Sequence, residues 1–130
     1  MSVDQQPIRL RDLGINPGSA PPGPYNALTD VPGVLVGQTT LIHDSPQVTR
    51  TGVTAIYPRP DIHLDHVFAA YHSFNGIGEM TGLPFLDETG LLLSPVILTT
   101  TKQVGAAYDA VVRYGERRYG GAAYWLPLVA

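Results

Sequence analysis

The sequence predicts an α/β domain in which sheet and helix lie in layers, rather than a strictly alternating, doubly wound one. Three observations carry this. Two strand-like runs, VLVGQTTLIH at 34–43 and RTGVTAIY at 50–57, flank the turn-rich HDSPQ, the pattern of a hairpin. A β-branched run, PVILTTT at 95–101, leads directly into apolar residues at helical spacing, Val104, Ala107, Tyr108, Val111 and Val112. Between them lies SFNGIGEMTG, 73–82, where three glycines and an Asn-Gly step break what otherwise reads as a buried strand.

Taken in order, residues 14–33 hold so many Pro and Gly that neither a helix nor a central strand is tolerated, so 1–33 reads as a Pro/Gly-rich arm. Residues 34–130 read as the sheet and helix core of the same single domain. In the first strand neither face is clearly polar, which fits a strand covered on both sides. Pro58 and Pro60 close the returning strand, and the charged DIHLDH leads to a third strand, VFAAYHSFN. The glycine segment ends it. A short helix over Leu83–Thr89 follows from Pro84 in a first turn and Gly90 at the stop. The longer helix runs from about Lys102 to Arg118, with Asp109 and Arg113 paired on its wet face and Gly120–Gly121 ending it. A last strand, AAYWLPLVA, carries no closing turn, so the chain reads as cut rather than finished.

Composition narrows the function classes. Charged residues are only 15% of the chain against 44% apolar, below the usual quarter, so much of the surface is expected to be covered by something. The net charge of −3 and the lack of a Lys/Arg stripe argue against nucleic acid and anionic membranes. The absence of cysteine excludes disulfides and thiolate chemistry. The first residues have no apolar signal core, and no run approaches a membrane span, so a soluble, cytoplasmic protein is expected.

Few motifs survive inspection. Gly76, Gly78 and Gly82 have the wrong spacing for a dinucleotide fingerprint, and the helix after them is too short to receive a pyrophosphate. The glycines mark either a turn where two backbones pack or a pocket wall in which Asn75 and main-chain N–H groups face a substrate. Glu79 reads as a solvated or capping carboxylate and Met80 as packing first, substrate contact second. Asp61, His63, Asp65, His66 and His72 include metal-ligating types, but in a surface loop without helical pairing, so no metal site is assigned. His43, Asp44 and Ser45 are consecutive turn residues and lack the geometry of a triad. In TTTK, 99–102, the hydroxyls are placed to cap the helix, with anion binding the alternative. Tyr124 and Trp125 fall on opposite faces of the last strand, one for the core and one for a surface or pocket.

RLRDLGI at 9–15, GPYNALTDVPGVLVGQTTLI at 23–42, RTGVTAIYPR at 50–59, FNGIGEMTG at 74–82, PVILTTTKQVGAAYDAV at 95–111 and WLPLVA at 125–130 together resemble the N-terminal part of one hydrolase family. These are the serine aminopeptidases that include L-aminopeptidase D-amidase/D-esterase and the β-peptidyl aminopeptidases. The resemblance implies an αββα sandwich of the N-terminal-nucleophile type, shared with ornithine acetyltransferase. It also implies a precursor that cuts itself before a serine, multimeric assembly of the processed units, and no metal or organic cofactor. The freed serine then releases N-terminal residues from peptides, amides or esters.

The family's catalytic serine, its supporting serine and carboxylate and its oxyanion asparagine lie beyond the position matching Ala130. No catalytic residue is therefore carried onto this chain, and the nucleophile is expected on a partner β-subunit. Asn75, Met80 and Tyr124 are the candidate pocket residues, with Glu79 a structural carboxylate beside them. An acetyl-transferring enzyme of the ornithine acetyltransferase kind and a non-catalytic interaction domain stand as the alternatives.

Overall fold

The computed structural model describes residues 8–121 and 125–130. The stretch before the sheet is held by its own hydrogen bonds. A 3₁₀ turn at Leu10–Leu13 ends at Gly14 in the left-handed region (φ 75°), and a second turn spans Leu28–Asp30. The Asp30 carboxylate accepts from the Tyr25 and Ala27 N–H groups at 2.9 and 3.0 Å, and the Arg9 guanidinium donates to the Tyr25 carbonyl at 2.6 Å. Neither turn contains a buried residue.

The sheet begins with the hairpin the sequence predicts: β1, Leu35–His43, runs antiparallel to β2, Thr49–Tyr57, in unbroken register from Leu35 opposite Tyr57 to His43 opposite Thr49. Arg50 secures the turn through the Asp44 carboxylate and the His43 carbonyl. After β3, Val67–Phe68, come the short helix α1, Leu83–Thr89, β4, Leu91–Leu92, and β5, Val96–Leu98. The helix α2, Val104–Tyr119, follows a 3₁₀ turn at Thr101–Gln103 and leads to β6, Leu128–Val129. The main sheet has the order β1-β2-β5-β6, while β3 and β4 pair by themselves. β6 lies parallel to β5; a parallel neighbour requires a crossover, and α2 supplies it.

Alternation along the strands divides the core in two. Ala55, Ile97 and Val129 face α2 and pack with Val104, Val111 and Trp125. On the other face Val96 and Leu128 meet Ile62, Leu86 and Leu92. α2 comes close to this assembly because residue 115 is glycine: a Cβ there would stand 2.5 Å from the Trp125 indole nitrogen. The indole also lies against a stacked pair of rings, Tyr119 and His63, which are 3.6 Å apart, with centroids 5.5 and 6.1 Å from the indole.

Several elements differ from expectation. β1 is exposed along nearly all its length, only Val36 being partly buried, because it is an edge strand that the described residues leave uncovered. The third strand stops at Phe68, since its partner is two residues long; beyond the Ala69 N–H to Gly90 carbonyl bond nothing continues the ladder. β4, a two-residue segment between Gly90 and Ser94, is too short to have shown a period. The expected strand over 95–101 narrows to Val96–Leu98, and the Thr100 side chain caps nothing. The Thr99 hydroxyl instead donates to the Gly52 carbonyl of β2 at 3.1 Å. Residues 122–124 of the expected last strand lie outside the described residues.

Candidate functional site

The glycine segment crosses the surface as an irregular loop whose two ends are held differently. At its start, Asn75 folds back on itself: its side-chain carbonyl accepts from the Ile77 N–H at 3.0 Å, an Asx turn, and the Ser73 hydroxyl donates to its main-chain carbonyl at 3.4 Å. Asn75 and Glu79 are exposed. Phe74 and Ile77 are 89% and 86% exposed, apolar groups left in water among the described residues.

A Cβ at Gly76 or Gly78 would meet only open space. The close backbone approach expected of this segment is instead at Gly82, which has φ 79° and lies against the carbonyl of Pro127, 3.4 Å from where its Cβ would be. Met80 turns inward and packs against the cluster of Ile62, Leu86, Leu92 and Leu128. Tyr124, the third candidate, lies outside the described residues, while Trp125 takes the core position.

The end of the loop is anchored to the last strand by Thr81. Its N–H donates to the Val129 carbonyl at 3.0 Å, its hydroxyl donates to the Pro127 carbonyl at 2.6 Å and accepts from the Val129 N–H at 2.9 Å. On the opposite edge of the same strand the Ser94 hydroxyl accepts from the Leu128 N–H and lies 3.1 Å from the Leu126 carbonyl. Ser94 has no exposed surface. Sequence reasoning did not select these two hydroxyls. A lone serine between LLL and PVIL was the available signal, since a hydroxyl buried among apolar residues must find partners.

A cavity of about 620 Å³ lies elsewhere, between Leu41, Val53 and Ala55 of the hairpin and Ala106, Ala110 and Tyr114 of α2. Among the described residues no carboxylate or imidazole lines it, so its threonine and tyrosine hydroxyls have no such base beside them. Burial, with the Tyr114 phenol alongside, pushes the Tyr57 phenol in its wall well above the ordinary range and keeps it neutral. Of the histidine and acidic residues around 61–66, Asp65 pairs with Arg59 and His63 joins the aromatic stack. Among the described residues no three such side chains gather as metal ligands, and no helix is long and apolar enough to cross a membrane.

The layered α/β arrangement is that of enzymes of the N-terminal-nucleophile hydrolase fold. Its core superimposes on a β-aminopeptidase from Burkholderia sp. with a TM-score of 0.83 and 46% identity, over 94% of this chain and 35% of that one. It also superimposes on the L-aminopeptidase D-Ala-esterase/amidase of Ochrobactrum anthropi, a serine aminopeptidase with a variant of that fold, with a TM-score of 0.79 and 41% identity, over 94% of this chain and 37% of that one. The sequence profile of peptidase family S58 matches residues 26–130, and the chain belongs to that family. The β-peptidyl aminopeptidase BapA of Sphingosinicella microcystinivorans is 40% identical in an alignment 128 residues long that covers 94% of this chain and 32% of the relative. The chain thus spans about a third of the length of the curated relatives it matches.

Proposed function

We propose that these residues are the N-terminal, α-subunit part of a self-processing serine aminopeptidase, whose nucleophile belongs to the remaining two-thirds of the polypeptide. The observation that carries the reading is the 40% identity to a β-peptidyl aminopeptidase, maintained over 94% of the chain. In this reading the precursor is cut before a serine, and the two products stay together as an αβ unit that assembles into a homo-oligomer. The new terminal amine titrates at about 7.7–8.0, so near neutral pH it accepts the proton of its own serine hydroxyl as that oxygen attacks the substrate carbonyl. The amine or alcohol leaves with a proton, and water hydrolyses the acyl-enzyme.

The substrate class is a peptide, amide or ester with a free N-terminal amine. Asn75, Met80 and Tyr124 line its pocket, with the Glu79 carboxylate beside them. The turn that fixes Asn75 supports this, because a preset side chain loses little freedom when a ligand arrives.

Denaturing intact-mass analysis with N-terminal sequencing of the full-length protein tests the proposal, together with hydrolysis of β-homoaminoacyl and α-aminoacyl p-nitroanilides. The expected result is a companion polypeptide beginning with serine and release of nitroaniline. An uncut protein without amidase activity would overturn it.

A further inference from the structure

We infer that Thr81 is a positioning residue for the substrate pocket, joining the 73–82 loop to the last strand through its hydroxyl; this rests on the aminopeptidase reading. Two hydroxyls divide the main-chain groups of the last strand between them. Along Leu126–Val129 successive main-chain groups point to opposite edges. Ser94 meets Leu126 and Leu128 on one edge, and Ala130 continues there onto β5 through Ile97 and Thr99. The other edge, Pro127 and Val129, has Thr81 as its partner.

Proline at 127 has no N–H, so only its carbonyl needs satisfying on that edge. One hydroxyl, with a single proton to give and lone pairs to receive, answers both that carbonyl and the Val129 N–H. Because Gly76 and Gly78 meet no neighbouring atoms and Phe74 and Ile77 are exposed, little besides the Asx turn and the Thr81 anchor determines where Asn75 and Glu79 stand relative to the strand. Met80, one residue before the anchor, packs inward. At this end the loop's polar groups are held by Met80 packing, by the main-chain bond from the Thr81 N–H to the Val129 carbonyl, and by the two bonds of the Thr81 hydroxyl, which are the ones a side-chain substitution removes. Valine at 81 would keep the shape and delete both hydroxyl bonds; serine would keep both.

The test uses the full-length protein, expressed so that it processes itself, carrying Thr81→Val or Thr81→Ser, with nitroanilide kinetics and amide hydrogen exchange. Thr81→Val is expected to raise KM about tenfold with kcat nearly unchanged, the equivalent of one to two hydrogen bonds lost from positioning. It is also expected to speed exchange at 75–82 and at Val129 while α2 stays protected. Thr81→Ser is expected to restore wild-type values. Unchanged KM and exchange in Thr81→Val would overturn the inference, and so would a fall in apparent kcat at unchanged KM that only tracks the fraction unfolded. A wild-type protein that hydrolyses nothing would sink the aminopeptidase reading instead, while exchange at 75–82 still decides whether Thr81 holds the loop.

Discussion

The indole of Trp125 fills the space that a side chain at Gly115 would need, its nitrogen 2.5 Å from the position of a Cβ. Alanine in mid-helix ordinarily gains about 0.5–1 kcal/mol over glycine. Here the obstacle is a rigid ring already stacked on Tyr119, and overpacking costs about 1–3 kcal/mol. The clash wins. Gly115→Ala is expected to lower the stability of the full-length protein by about 1–2 kcal/mol in urea titration; a stabilised variant would show that the indole can move away.

Ser94 offers a sharper case of a small polar group that the fold cannot lose. It is fully buried and serves the Leu128 N–H. Removing one partner of a buried bond leaves the other desolvated, at about 1–3 kcal/mol. Ser94→Ala should therefore destabilise by that amount, visible as a lower urea midpoint with an unchanged slope. A neutral effect would mean that another donor or acceptor replaces the hydroxyl.

The glycines of the 73–82 loop should respond unequally. Gly82 has φ 79° and a carbonyl beside it, whereas Gly76 has open space around its Cβ direction. A non-glycine residue in the left-handed region costs about 1–2 kcal/mol. Gly82→Ala should lose that much, and Gly76→Ala should stay within about 0.5 kcal/mol of wild type. Equal losses would show that Gly76 is packed against something in the full-length protein.

The alkaline limb of the stability curve should depend on Tyr57. Burial and the neighbouring Tyr114 phenol raise its pKa in the folded protein, and a hydrogen bond to Asp87 raises that of Tyr71. In the unfolded chain both phenols ionise near 10. The stabilisation is therefore present below about pH 10 and is lost as pH climbs above it toward the folded values. Denaturation curves from pH 8 to 12 should show Tyr57→Phe losing stability less steeply than wild type. Parallel curves would mean that Tyr57 ionises as freely folded as unfolded.

The hairpin, both helices and their glycine stops were legible because each is a local pattern: period-2 runs around a turn, a 3.6-residue stripe, a Pro at a start and a Gly at an end. The observed helix Val104–Tyr119 differs from the expected Lys102–Arg118 by the short 3₁₀ turn that precedes it. The candidate site was legible only as a loop. Glycine at 82 marked the close approach, but Gly76 and Gly78 read identically in sequence and touch nothing among the described residues. Thr81, flanked by Met and Gly, had no feature to separate it from any surface threonine.

By itself the sequence determined the order and kind of the main elements and, through motifs spread along its length, the family. Both depend on neighbours close in the chain or on identities that survive without coordinates. Tertiary structure alone decided which strand lies at the edge, which glycine meets backbone, and that the hydroxyls of Thr81 and Ser94, 46 and 32 residues before the carbonyls they meet, grip opposite edges of Leu126–Val129. A hydrogen bond across 46 residues, such as that from Thr81 to Pro127, leaves no period in the sequence. It exists only once the crossover through α2 has brought the last strand beside β5, where the two edges of one backbone face different partners.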